Sequence, residues 1–185
     1  MGVGEYTDVV SLVFPSSKER LWSVSVDSYP ISLAFSPDGH LLAVATCESF
    51  VYAIDTLTGT IVQRFGGFES QVRQVGFSFD GRVLAIASET LLEARDTTQW
   101  DVVCRAKELP GLIYSISMCP RDDRLAVGFD DGAIEIWTLE GLGMLLRLLG
   151  HDDFIYSLDW SLDGRFLASG GDDGTVRIWT LAEAT

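Results

Sequence analysis

Ser161-Leu162-Asp163-Gly164-Arg165-Phe166-Leu167-Ala168 decides the fold, because both of its halves recur along the chain. The Leu-Ala half appears as Leu42-Ala43, Leu84-Ala85, Leu125-Ala126 and Leu167-Ala168, in steps of 42, 41 and 42 residues. The Ser-x-Asp-Gly half appears earlier as Ser36-Pro37-Asp38-Gly39 and Ser78-Phe79-Asp80-Gly81, with a degraded copy at Cys119-Pro120-Arg121-Asp122. A fixed period of about 40–45 residues marks a repeat architecture in which each unit is one small sheet. The Asp-Gly pair between two apolar alternating runs predicts a tight hairpin turn, with both residues supplying positive φ.

Working outward from that turn, one strand precedes it, as in Ile31 to Phe35, and one follows, as in Leu41 to Ala45. A third run follows, such as Phe50 to Ile54 or Thr175 to Trp179, in which Val176 and Ile178 alternate with Arg177 and Trp179. That period of two is the mark of a strand. A fourth, more variable strand is predicted in three units, at Thr60 to Phe65, Val102 to Ala106 and Met144 to Leu149. Four antiparallel strands joined by short turns describe the blade of a β-propeller, so the expected fold class is all-β.

The last unit carries a family resemblance in order: Gly150-His151, Ile155 to Ser161, Asp163-Gly164, Leu167-Ala168-Ser169-Gly170, Asp172-Asp173-Gly174-Thr175 and Ile178-Trp179. It resembles a WD repeat, and the likeness extends over about four-fifths of the chain. The closing Asp of the eponymous pair is replaced, since Thr180 follows Trp179 and Thr138 follows Trp137. Asp55 and Asp96 survive in the first two units, where Ile54 and Arg95 replace the Trp. The repeats span about 29–66, 67–107, 108–149 and 150–182, within a single propeller, or part of one, covering 1–185. Residues 1–26 read as a partial blade or a ring-closing strand. Leu21 to Val26 suits closure, and Val9 to Phe14 looks like the third strand of a truncated blade. Propellers run from four to eight blades. Four units therefore point to an open arc, either a piece of a larger propeller or one that self-associates to complete it.

Composition narrows the function. The net charge is −14, with 13 basic against 27 acidic residues and no basic stripe. Duplex nucleic acid, which needs its phosphates neutralised, is a poor partner. The longest apolar stretches are strand length, so no membrane span is predicted. Met1 to Tyr6 lacks the basic start of a secretory signal. Cys47, Cys104 and Cys119 cannot all pair and show no Cys-x-x-Cys spacing, which argues against a disulfide framework or a zinc site and for an intracellular location. No phosphate loop, dinucleotide loop or calcium loop is found, and no cofactor is expected.

His151, Ser169 and Asp173 have the residue types of a hydrolase triad. In WD repeats the corresponding residues, with a Trp at the place of Trp179, form a structural hydrogen-bond network. The resemblance therefore assigns these four to stability. The elbow that would present a catalytic Ser is missing, so an enzyme is not expected and a propeller hydrolase is the remote alternative.

Propellers of this family act as rigid platforms whose rim turns meet peptides or whole domains. The predicted partner-binding residues are Gln71, Asp130, Asp152, Asp153, Phe154 and Asp172 on one rim, with Tyr114 and Tyr156 as aromatic anchors. Their acidity favours a basic protein or peptide. The leading function is a non-catalytic scaffold or adaptor; the alternative is a sensor or regulatory segment of a larger signalling protein.

Overall fold

The structure is a computed structural model and describes residues 8–107 and 109–181. Met1 to Tyr6, read above for targeting signals, and the outermost residues of the 1–26 and 150–182 units lie outside that range. Seventeen strands occur among the described residues. A two-stranded sheet comes first, β1 (Asp8–Val13) and β2 (Arg20–Val26). Blade I follows with β3 (Pro30–Phe35), β4 (Leu41–Thr46), β5 (Val51–Asp55) and β6 (Ile61–Phe65). Blade II holds β7 (Val72–Phe77), β8 (Val83–Ser88), β9 (Leu91–Asp96) and β10 (Val102–Ala106). Blade III holds β11 (Ile113–Met118), β12 (Arg124–Phe129), β13 (Ile134–Thr138) and β14 (Met144–Leu148). Blade IV has three strands, β15 (Ile155–Trp160), β16 (Phe166–Gly171) and β17 (Val176–Thr180). All pairings are antiparallel between sequence neighbours.

The core lies between blades, and the Leu-Ala pair explains how it is built. Successive side chains of a strand point to opposite faces. Leu84 packs toward blade I with Ala43, Val75 and Phe77, while its neighbour Ala85 packs toward blade III with Ile116 and Leu125. Ala126 likewise faces Leu158 and Trp160 of blade IV. A large residue on one face and a small one on the other lets the inner strand of the following blade approach closely. Polar contacts cross the same gaps: Val75 N–H donates to Ser32 Oγ at 3.2 Å, Ile116 N–H to Gln74 Oε1 at 2.8 Å, and Ser115 Oγ donates to the Ile155 carbonyl at 2.7 Å.

The Ser-x-Asp-Gly turn differs from the expectation in one respect. Only the glycine takes positive φ, 74° at Gly39 and Gly81 and 68° at Gly164. The Asp is needed as an acceptor instead. Asp38 Oδ1 takes the Ser36 hydroxyl at 2.6 Å and the His40 N–H at 3.0 Å, and the same pattern recurs at Asp80 and Asp163.

Two faces are left uncovered. Val176 and Ile178 are 76% and 73% exposed, whereas their counterparts in blade III, Ile134 and Ile136, are 0% and 2% exposed. On blade I, Leu33 and Phe35 are exposed where Val75 and Phe77 of blade II are buried. Leu21 to Val26 lies in β2, which pairs with β1 and not with β17. Val26, Val24, Trp22 and Val10 of this hairpin pack on Leu42, Val44, Tyr52 and Ile54 of blade I.

Candidate functional site

Each inner strand opens with the same irregularity. Register shifts occur between Pro30 and Ser32, Val72 and Gln74, Ile113 and Ser115, and Ile155 and Ser157. The extra residue in each bulge is Ile31, Arg73, Tyr114 or Tyr156, and a bulge re-aims its side chain out of the sheet alternation. This brings aromatics of two blades together. The Tyr114 and Phe154 rings stack at 4.8 Å between centroids, Tyr156 meets Tyr114 edge-on at 5.7 Å, and Phe154 lies 6.2 Å from Tyr156. Arg73, held by an ion pair to Glu89, lies 5.1 Å over the Tyr114 ring. Tyr156 is exposed. Its hydroxyl is pushed above the usual phenol range, first by desolvation and then by the charge of Asp172, with Tyr114 and Asp153 adding to it.

The acids expected on this rim divide into two groups. Asp153 accepts the Phe154 N–H at 2.9 Å, and Asp172 N–H donates to the Phe154 carbonyl at 2.9 Å, so both border the aromatic cluster. Asp152 is exposed beside them. Asp130 instead accepts the Leu112 N–H at 2.9 Å, tying the turn between β12 and β13 to the segment that enters β11. Asp131 is neutralised by Arg147 at 2.6 Å. Gln71 belongs to another gap, with Nε2 3.7 Å from Cys47 Sγ.

Behind the rim lies a continuous polar chain. Trp179 Nε1–H donates to Ser169 Oγ at 2.8 Å, His151 Nε2 is 2.7 Å from the same oxygen, and His151 Nδ1 is 2.8 Å from Asp173 Oδ2. The directions close when Ser169 O–H donates to Nε2 and Nδ1–H donates to the carboxylate. Desolvation opposes the Asp173 charge. Hydrogen bonds from the Thr175 N–H and hydroxyl, His151 and the Asp152 N–H outweigh it and hold the carboxyl well below the usual range. Ser169 is 2% exposed. The other blades lack this chain: Phe68 and Ile86 stand for His151 and Ser169 in blade II, and Leu109 and Val127 in blade III. In blade III, Trp137 Nε1 consequently finds no well-aligned acceptor.

Sequence reading missed a second polar ladder. Arg64, Arg105 and Arg147 recur in steps of 41 and 42 residues on the fourth strands. They face Tyr52, Glu93 and Glu135 on the third strands. Glu93, 0% exposed, receives Arg95 and Arg105 on its two oxygens, each at 2.5 Å. Burial raises the Glu135 carboxyl, against the pull of Arg147. The shared period was the available signal.

Blades of this build define a β-propeller protein. The family described as "WD domain, G-beta repeat" matches residues 143–180. The WD repeat-containing protein VIP3 of Arabidopsis thaliana is 29% identical over 70% of the chain and 45% of its own length. The transcription factor unc-37 of Caenorhabditis elegans is 32% identical over 89% of the chain and 27% of its own length. Among solved structures, one chain of the mitotic checkpoint complex aligns with TM-score 0.80 at 18% identity, over 90% of this chain and 54% of that one. The computationally designed Ika4 protein aligns with TM-score 0.74 at 19% identity, over 85% and 94%. With the same blade built three times before the matching unit, the chain is a WD-repeat β-propeller protein. It spans less than half the length of the curated relatives it matches.

Proposed function

We propose that the chain is a non-catalytic scaffold whose rim at the entrances of blades III and IV binds a basic protein or peptide segment. The observation that supports this reading most is the cluster of Tyr114, Phe154 and Tyr156, set on two bulges and bordered by Asp152, Asp153 and Asp172. Exposed aromatic faces beside carboxylates attract cations through both the ring quadrupole and direct charge. Aromatics also dominate interface hot spots. The hydrolase reading loses support because Ser169 is enclosed and its oxygen already accepts from Trp179. A regulatory segment within a longer signalling protein is the second reading, favoured by the partial coverage of the relatives. An intracellular location goes with either, supported by three free thiols and by a relative named as a transcription factor.

Titration with a labelled Lys/Arg-rich peptide tests the scaffold reading. Affinity should fall with added salt, and Tyr156→Ala combined with Asp172→Asn should weaken it about tenfold or more at an unchanged melting temperature. Salt-insensitive binding, or equal affinity in the double variant, would overturn it.

A further inference from the structure

The guanidiniums on the fourth strands share a repeat position but not a charge balance. Arg64 reaches Asp27 as well as Tyr52, and Arg147 donates one terminal nitrogen to Glu135 and the other to Asp131. Arg105 meets Glu93 through Nε; among the described residues its two terminal nitrogens make no hydrogen bond. The turns account for the difference. Asp131 lies in the turn joining β12 to β13, where Gly128 pairs with Ile134, whereas Ser88 pairs with Leu91 and leaves only Glu89 and Thr90 between β8 and β9. Of these, Glu89 is bound to Arg73. Glu69, which precedes β7 by three residues as Asp27 precedes β3, is exposed and forms no salt bridge among the described residues.

At this place blade II carries a cavity of about 340 Å³, whose lining includes Arg95, Arg105, Lys107, Thr90, Glu69 and Glu93. The two oxygens of the buried Glu93 are taken by the Nε atoms of Arg95 and Arg105, so this carboxylate fixes both guanidiniums in place and offsets one of their charges. Three cations against two acids leave the lining positive in a chain of net charge −14. We propose that this cavity binds a phosphomonoester, with its oxygens on the terminal nitrogens of Arg105 and the ammonium of Lys107. A planar carboxylate is satisfied by one guanidinium fork, whereas a tetrahedral phosphate group presents three oxygens to several donors at once. The volume lies at the low end for ligand sites, which suits a phosphate on a short stem better than a nucleotide. Its sign is opposite to that of the aromatic rim, so the two sites select different ligands.

Isothermal titration of the full chain at fixed ionic strength tests this, with glycerol phosphate and a blocked Gly-phosphoserine-Gly peptide as probes. At least one should bind, and the tighter of the two identifies a small molecule or a modified side chain as the source of the phosphate. Acetate and the unphosphorylated peptide should bind about tenfold or more weakly. Arg105→Gln and Lys107→Gln should each lower the affinity about tenfold, the scale of one hydrogen bond to a charged group. Lys107 is exposed, so its variant carries the test should the first not fold. Arg82→Gln, which removes an exposed charge from the same blade away from the cavity, should change nothing. Absence of binding by both probes, parity with acetate, unchanged affinity in Lys107→Gln, or a matching loss in Arg82→Gln would overturn the proposal.

Discussion

Blades II and IV hold their polar centres in opposite ways. In blade IV a hydrogen-bonded chain of Trp179, Ser169 and His151 ends on one carboxylate, Asp173. In blade II, Arg95 stands at the place of Trp179 and Phe68 at the place of His151, and the buried Glu93 is clamped between two guanidiniums. The backbones around both are the same pair of hairpins. The blade therefore requires only that its buried polar atoms be mutually satisfied, and the chemistry that does so is exchangeable. An ionic centre fails harder when one part is removed, because the charge left behind is buried and unpaired.

The largest effect predicted from this contrast is at Glu93. Glu93→Ala leaves Arg95 without its buried partner and should cost about 3 kcal/mol, a figure at the low end of the range for broken buried pairs because Arg105 is partly solvated. Urea unfolding followed by tryptophan fluorescence would measure it, and a loss under about 1 kcal/mol would erase the distinction between the two centres. His151→Ala should cost less, about 1–3 kcal/mol, by leaving the buried Ser169 hydroxyl without its acceptor and removing one of the donors to Asp173. Hydrolytic activity lost in that variant at an unchanged melting curve would instead make the group catalytic.

The smallest effect is on pH dependence. The Asp173 carboxyl is held below its unfolded value, so the stability it contributes is present above the ordinary carboxylate range of about 4 and is lost as pH falls through its folded pKa. Glu135, raised by burial, has the opposite sign. Thermal melts between neutral and acid pH should therefore give Asp173→Asn a shallower acid limb than the wild type. The limb should not vanish, because Asp38, Asp80 and Asp163 are lowered in the same way by their turns.

Much of this was legible in the residue pattern. The Leu-Ala period located the strands to within a residue or so, because a large-small pair at a fixed step has one use in stacked sheets: it seats one blade on the next. Phe154, Tyr114 and Tyr156 were reachable through the same register. The bulge that turns the two tyrosines toward each other was not, since it depends on hydrogen-bond pairing between strands. Asp130 looked like a rim acid in sequence, yet the Leu112 amide claims it, and that partner is distant in the chain. Exposure of Val176 and Ile178 likewise reflects what does not cover them, and nothing in their own alternation announces it.

The division between a stabilising centre and a binding rim can be tested on one protein preparation. Binding isotherms for a Lys/Arg-rich peptide would be compared among wild type, Tyr156→Ala and His151→Ala, all well below their melting temperatures. The account predicts a loss of about tenfold for Tyr156→Ala at an unaltered melting temperature, and wild-type affinity for His151→Ala despite its lower melting temperature. Loss of binding in His151→Ala with retention in Tyr156→Ala would contradict it.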